Sequence, residues 1–268
     1  MSDPNIGNFQ TPPPPRFPED ELPAGPTMST GETLGNVFFE PGSVFESLRS
    51  RPRFIVAGLI VIALSMAFTV LFFQRIGYDR AMREALENSP RSSQMSPEQK
   101  AKAFELYQKP YVKAFTYATP IIGIAIAFAV GAALYLLGVM AMGKRISYAQ
   151  ALSVWVYSSL PPAVLTGLLS VVLLFLKSPD DIDPSQLRGG IVHADLSVLV
   201  DAKASPALAA ALGSIDLFTF YGLFLAALGL RYVARLSSGA AWGIVLTIWI
   251  VKVALRIIWA IAFGTAIG

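Results

Sequence analysis

The stretch that decides the fold is residues 115–143, FTYATPIIGIAIAFAVGAALYLLGVMAMG, which contains no charged residue. A helix needs about 20 consecutive apolar residues to cross the hydrocarbon core of a bilayer, and this stretch is longer than that. It also has glycine and alanine at many positions, and small residues of this kind let helices pack closely inside a membrane. The sequence therefore predicts a membrane-spanning helix here.

Four more blocks are almost as apolar as this one, and each is long enough to span a bilayer. They are residues 54–73, 146–176, 215–236 and 240–267. The whole chain is 54% hydrophobic and 15% charged, whereas about 25% of the residues in an average soluble domain are charged. We therefore predict an all-α fold, a polytopic integral membrane helical bundle with five transmembrane helices and a disordered Pro-rich N-terminal tail.

The residues before the first span divide into two parts. Residues 1–36 lack an apolar core and contain four consecutive prolines at positions 12–15, which predicts a disordered or polyproline-II tail rather than a secretory signal. Residues 37–53 have apolar residues at helical spacing and end in arginines. This pattern is typical of an amphipathic segment lying at the membrane interface, and Pro52 is expected to end its helix.

The loop between the first two spans, residues 74–114, is predicted to be helical and to lie outside the membrane. Helical periodicity continues after Gln74 as far as Asn88-Ser89-Pro90. A second helix is expected to begin at Ser96-Pro97-Glu98-Gln99, because a serine cap, a proline at the first position and a glutamine three residues after the cap favour a helix start. It should end near Lys109, so that the loop forms a helical hairpin.

Basic residues near the span ends indicate the orientation. Both short connections between spans are basic and contain no acid: one holds Lys144 and Arg145, and the other follows Arg231 and includes Arg235. A raw count of basic residues on the two sides favours the opposite orientation, but the positive-inside rule is strongest close to the span ends. We therefore predict a cytoplasmic N-terminus, a bacterial inner (cell) membrane location and an external C-terminus.

Lys252 and Arg256 are the charges that lie deepest inside a predicted span. Their spacing of four places them on one helix face, and an ionisable residue at mid-membrane costs roughly 2.5–3.5 kcal/mol. Antiparallel packing of the last two spans brings Arg256 within one turn of Asp216. We predict that Asp216 pairs with Arg256 while Lys252 faces a polar cavity or an anionic lipid headgroup. The alternative is that both cations snorkel along a tilted helix without a function.

Two adjacent prolines, Pro161 and Pro162, interrupt the third span. They remove two backbone donors, and the carbonyls left without partners must be met by other groups. The Ser158 and Ser159 hydroxyls are neighbouring candidates. A broken helix of this kind is typical of transporter sites, and a simple kink is the alternative.

Several classes of chemistry are excluded by composition and by missing motifs. The chain has no cysteine and one histidine, His193, which excludes disulfides, thiolate metal sites and a multi-histidine metal centre. It contains no His-Glu-x-x-His, no Gly-x-Ser-x-Gly and no phosphate-binding loop of the GxxxxGK[ST] type. We predict a protein that is not an enzyme, with no cofactor, no metal and no nucleic-acid partner.

Several segments together resemble the Yip domain family (Ypt-interacting proteins) over about residues 37–268. These segments are Val37-Phe38-Phe39-Glu40-Pro41, Arg51-Pro52-Arg53, Ser214-Ile215-Asp216-Leu217-Phe218 and Ala226-Ala227-Leu228-Gly229-Leu230. The helix that begins at Ser96 is similar to the extra loop of the bacterial branch of the family. The resemblance implies a five-span membrane protein without established catalytic residues. Eukaryotic members bind prenylated Rab-type GTPases and related Yip proteins in the early secretory pathway, and some shape membranes.

Taken together, these observations favour a non-enzymatic integral membrane protein of the Yip type, with a membrane-organising, scaffold or trafficking-like role. The expected partners are membrane lipids, a second copy of the chain or other membrane proteins. The alternative is a small transporter or lipid-handling protein that uses the cationic face of the fifth span, formed by Lys252 and Arg256.

Overall fold

A computed structural model describes residues 28–87, 89, 92–182, 191–192, 194–200 and 204–263. Within these ranges the regular structure is helical, apart from one isolated bridge between Asp195 and Asp216, so the predicted all-α class is confirmed. The proline run at 12–15, the helix stop predicted at Asn88 and Pro90, and His193 lie outside the described residues.

Ten α-helices lie in the described part of the chain, and three short 3-10 helices lie in its connections. The α-helices are α1 (Thr30–Asn36), α2 (Pro41–Ser50), α3 (Ile55–Ile76), α4 (Tyr78–Glu87), α5 (Pro97–Gln108), α6 (Pro110–Ala141), α7 (Tyr148–Leu176), α8 (Pro206–Leu212), α9 (Leu217–Val233) and α10 (Ser238–Phe263). The 3-10 helices are Ser92–Gln94, Pro179–Asp181 and Leu196–Leu199.

Four of these helices, α3, α6, α7 and α10, are long and apolar enough to cross a membrane, judged by length and composition. Helix α9 is also apolar but has only 17 residues. At 1.5 Å per residue it is about 25 Å long, slightly less than the hydrocarbon thickness of about 30 Å. The five predicted spans are therefore present as four long apolar helices and one shorter one.

Side-chain contacts show at which end of the bundle each connection between helices lies. At the first end, the Gln150 side-chain amide donates to the Arg49 carbonyl at 2.7 Å, which joins the end of α2 to the start of α7. At the second end, Arg80 of α4 pairs with Asp180, just after α7, at 3.0 Å. The chain thus alternates between the two ends, as a five-span topology requires.

Helix α7 is the centre of the bundle and packs against α2, α3, α6 and α9. Its Tyr157 and Leu160 are among the largest fully buried side chains. Glycines allow close approach to this helix: a Cβ added at Gly229 of α9 would lie 2.7 Å from Val154 Cγ1. Because lipid tails provide no hydrophobic force between helices, such close packing holds the spans together.

Helix α1 falls within the range 1–36 that was predicted to be a tail, so that prediction extended too far along the chain. A capping box starts the helix: Ser29 Oγ accepts a hydrogen bond from the Glu32 N–H at 3.2 Å, and Glu32 Oε2 accepts one from the Ser29 N–H at 2.6 Å. Thr33 and Val37 are fully buried against the bundle. The cap and this burial explain why the segment is ordered.

Helix α2 lies in the segment that was predicted to be amphipathic, and it ends before Pro52 as expected. Its apolar residues Val44, Phe45 and Leu48 are fully buried, because the helix packs against α9 and α7. The apolar face of α2 therefore contacts protein. Its position at the membrane interface stays a prediction.

Helices α4 and α5 lie between the first two spans, where a helical hairpin was expected, and they pack against each other. Helix α3 does not continue into α4, because Gly77 adopts φ 89° between them, a conformation that glycine tolerates best. Helix α5 begins at the Ser96 capping box, as predicted. The Arg83 guanidinium lies 3.9 Å from the centre of the Phe104 ring, and this contact ties α4 to α5.

Candidate functional site

The candidate site lies around Arg256, near the C-terminal part of α10. Arg256 Nη1 donates to Ser214 Oγ at 3.4 Å, and Ser214 precedes the first residue of α9. Helix α10 has 26 residues and α9 has 17, so α10 extends past the start of α9. Arg256 therefore lies beside the segment that leads into α9, at the second end of the bundle, and its depth in the membrane stays a prediction.

Helix α8 packs against α10 and brings its own C-terminal end to this site. The last carbonyls of a helix lack intrahelical partners and carry partial negative charge. One of them, the Ala210 carbonyl, accepts a hydrogen bond from Ser214 Oγ at 2.9 Å. A Cβ added at Gly213 would lie 3.8 Å from Arg256 Nη2. The guanidinium thus lies beside the end of α8, where a cation is favoured.

Asp216 serves as the N-cap of α9. Its Oδ2 accepts a hydrogen bond from the Thr219 N–H at 2.7 Å, which satisfies one of the free donors of the first turn. Sequence reasoning did not assign this role, although an aspartate directly before an apolar helical run is a recognised helix start. The predicted ion pair between Asp216 and Arg256 stays a prediction.

Lys252 lies one turn before Arg256 on α10, and its side chain is exposed on the surface of the helix. It interacts electrostatically with both Arg256 and Asp216. The structure thus brings together Lys252, Arg256 and Asp216, the three charged residues predicted to form a site. Ser214 and helix α8 complete the group.

The two prolines predicted to break the third span lie inside a continuous helix, α7. The carbonyls that lose their donors belong to Tyr157 and Ser158, four residues before each proline. The Ser158 and Ser159 hydroxyls do not meet them: both donate to the Trp155 carbonyl, at 3.0 and 2.7 Å. The predicted compensation was wrong, because a serine in a helix bonds to the carbonyl three or four residues before itself.

Helix α9 fills the space beside the prolines. A Cβ added at Gly222 would lie 3.5 Å from Pro162 Cγ and 3.7 Å from the Ser158 carbonyl oxygen. Pro161 is buried. The proline pair is thus a point where two helices pack closely, and Pro161 and Pro162 do not join the Arg256 group.

The chemistry available around Arg256 is that of charge pairing and helix capping. In the described residues, no group of three or more His, Cys, Asp or Glu side chains could hold a metal ion. The polar groups named above have structural roles: Asp216 caps α9, and Ser214 joins the end of α8 to Arg256.

A family model for the Yip1 domain matches residues 35–260, which is most of the chain. Comparison with curated proteins gives no match, and comparison with solved structures gives none either. The matched range begins inside α1 and ends in the last turn of α10. It therefore includes α2 to α9 completely and most of α10.

Proposed function

Because the chain belongs to the Yip1 domain family, we propose that this integral membrane protein is a non-enzymatic scaffold that organises membranes. The family expected from the sequence is confirmed, whereas the match does not assign a bacterial branch. The observation that carries the proposal is that the helical segments at both ends of the bundle are fixed to it by specific polar contacts. A scaffold needs such surfaces held in a constant position.

At the second end, Arg80 fixes helix α4. Its guanidinium donates to Glu84 Oε1 at 2.8 Å, to Asp180 Oδ1 at 3.0 Å and to the Pro179 carbonyl at 3.1 Å. The hydrogen bond to Glu84 raises the pKa of Arg80 above its usual value, and an arginine guanidinium is charged at every physiological pH. Lys113 Nζ also lies 3.9 Å from Asp79 Oδ1. Together these contacts hold the α4–α5 hairpin against the ends of α6 and α7.

At the first end, Arg53 fixes the N-terminal segment. Its Nη1 donates to the Met28 carbonyl at 2.9 Å and lies 3.4 Å from Thr30 Oγ1. Thr33 and Tyr157 add a buried hydrogen bond of 3.1 Å between α1 and α7. The start of α1 is thereby held beside the start of α3.

The interior of the bundle supports a scaffold better than the alternative of a transporter or lipid-handling protein. Pro162 of α7 lies close to Gly222 of α9, which leaves less room for a solute than a broken helix would. Lys252 is exposed on α10, so its charge does not require an internal path for solvation. These two features favour a scaffold, which binds its partners at the ends of the bundle, over a transporter.

The proposal includes an orientation and a set of partners. Residues 142–147 and 234–237 share the first end with α2, and their basic residues favour the cytoplasmic side under the positive-inside rule. The N-terminus is then cytoplasmic, in a bacterial inner membrane. Membrane lipids surround the bundle, and a second copy of the chain or another membrane protein binds at its ends.

The test compares two double variants in native nanodiscs prepared without detergent. Arg80→Gln with Lys113→Gln removes the contacts that hold the hairpin. Lys100→Gln with Lys102→Gln removes two charges from α5, where no ion pair to these lysines is found in the described residues. The measurement is the number of protein copies and co-purified membrane proteins per disc, by native mass spectrometry.

We expect assemblies of defined stoichiometry for the natural sequence and the α5 variant, and at least a severalfold loss for the Arg80 and Lys113 variant. A single chain per disc in all three cases would contradict the scaffold. Saturable solute transport in liposomes that is lost with Lys252→Gln would instead establish the alternative function.

A further inference from the structure

An open cavity of about 320 Å³ lies at the first end of the bundle, where the end of α2 meets two connections. Four basic residues line it: Arg49, Lys144, Arg145 and Arg235. They come from the last turn of α2, from the α6–α7 connection and from the α9–α10 connection. Residues far apart in sequence thus bring four positive charges to one concave surface.

In the part of the chain that the structure describes, none of these four basic residues forms an ion pair. The four ion pairs found in the described residues, at the 4.0 Å limit, all involve α4, α5, α6 or Asp180 at the second end. Like charges that share a cleft raise its potential and concentrate anions there. The cavity therefore favours an anionic occupant.

Arg235 is placed in the cavity by an unfavourable backbone conformation. It is the non-glycine residue with a positive φ, 49°, in the described part of the chain. It follows Ala234 at the end of α9, a position where helices usually have glycine, because a Cβ is disfavoured in the left-handed region. An arginine at this position is locally less stable than a glycine would be, and it adds a guanidinium group to the lining of the cavity.

The cavity wall is held in place by Gln150 and is partly apolar. The Gln150 side chain fixes α2 to α7 through the Arg49 carbonyl, and Arg49 lines the cavity beside it. Val233 and Ala234 are buried in the same wall, and Ile146 is half-buried there. A free inorganic anion makes no favourable contact with an apolar wall. A phospholipid joins its phosphate to apolar acyl chains, which can contact such a wall.

We propose that this cavity binds the phosphate group of an anionic phospholipid headgroup. Guanidinium groups bind phosphate oxygens in a bidentate manner, and basic pockets between the ends of membrane helices suit such headgroups. The cavity is lined by the end of α2, the start of α7, the end of α9 and the two connections beside them, and the end of a membrane bundle is where we expect lipid headgroups. This site is separate from Lys252 and Arg256, and it does not depend on the scaffold role.

The test compares two double variants. One removes two positive charges from the cavity lining, and the other removes two positive charges beside the cavity. Arg145→Gln with Arg235→Gln changes the lining. Arg51→Gln with Arg231→Gln is the matched control, because both arginines are exposed at the same end and neither lines the cavity. Arg49→Gln serves as a second test variant, since the contact of Arg49 with Gln150 uses the main-chain carbonyl.

The purified protein is titrated with phosphatidylglycerol in phosphatidylcholine nanodiscs, and bound lipid is counted by native mass spectrometry. We expect about tenfold weaker retention of phosphatidylglycerol for the Arg145 and Arg235 variant, a smaller loss for Arg49→Gln and little change for the control. Equal losses in test and control variants would show general surface attraction and overturn the site. Displacement of the lipid by millimolar inorganic phosphate would overturn the lipid assignment in favour of a free anion.

Discussion

The side-chain hydroxyls of Thr33 and Tyr157 lie 3.1 Å apart inside the bundle, although the two residues are 124 positions apart in sequence. Both side chains are almost completely buried. Thr33 Oγ1 also donates to the Thr30 carbonyl at 2.8 Å, so the Tyr157 hydroxyl is the donor between the two. This bond joins the N-terminal helix to the central helix of the bundle.

The two ends of this hydrogen bond should differ in their response to mutation. Thr33→Val leaves the buried Tyr157 hydroxyl without an acceptor and should cost about 1–3 kcal/mol of unfolding free energy. Tyr157→Phe leaves Thr33 bonded to Thr30 and should cost only about 1 kcal/mol. Thermal unfolding in nanodiscs, with protease cleavage of α1 as a local measure, checks both. Strictly additive losses in the double variant would mean that the two residues are not coupled.

Close helix packing should make Gly229 intolerant of a side chain. A Cβ there would lie 2.7 Å from Val154 Cγ1 and 2.9 Å from Phe45 Cε1, so Gly229→Ala should destabilise the protein by about 1–3 kcal/mol through overpacking. Gly243→Ala is the control on α10, because a Cβ there meets nothing within 4 Å. The unfolding midpoint in nanodiscs should fall for the first variant and stay level or rise for the second. A similar effect of both changes would contradict the packing.

The cap formed by Asp216 predicts a difference between two substitutions. Asp216→Asn keeps a side-chain oxygen for the Thr219 N–H and should lose only a few tenths of a kcal/mol, because asparagine caps helices as well as aspartate does. Asp216→Ala removes the cap and should cost about 0.5–2 kcal/mol. Hydrogen exchange at the first turn of α9 measures this locally. If the asparagine variant loses as much as the alanine variant, charge pairing with Arg256 or Lys252 matters more than capping.

The capping box of α1 predicts a pH dependence. Hydrogen bonds from Ser29, chiefly its backbone N–H, lower the pKa of Glu32 below its usual value of 4.5. A group whose pKa is lowered on folding adds stability above its unfolded pKa and loses it as the pH falls through its folded pKa. Protease cleavage of α1 should therefore increase below about pH 4.5. Glu32→Gln should remove this step, and an unchanged step in that variant would assign it to another group.

The sequence was enough to predict the membrane class, the helix start at Ser96 and the family, because each depends on local pattern. Apolar runs longer than 20 residues leave few alternatives to a membrane span. The Ser96 capping box is complete within four residues.

The contacts of the polar residues were harder to predict, because they depend on packing between distant segments. Antiparallel packing of the last two spans predicts that Arg256 lies near Asp216, but the contact of Arg256 with Ser214 beside α8 also depends on where α8 packs, which helical periodicity does not give. Helix α1 is ordered by burial of Thr33 against α7, which its polar sequence TGETLGN does not suggest. The basic cavity likewise combines Arg49 with Arg235, whose separation in sequence conceals their proximity.

We propose that the interior of the bundle is packed closed and that the protein acts through its two ends. The chain has no native cysteine, so a single Ser158→Cys change can report water access beside the proline pair, where Ser158 is only 4% exposed. Ser238→Cys, at the exposed start of α10, is the accessible control. A membrane-impermeant maleimide applied from each side should label the control from one side and leave Ser158→Cys unlabelled until the protein is denatured. Labelling of Ser158→Cys in the folded protein would reveal a water-filled path and contradict the account.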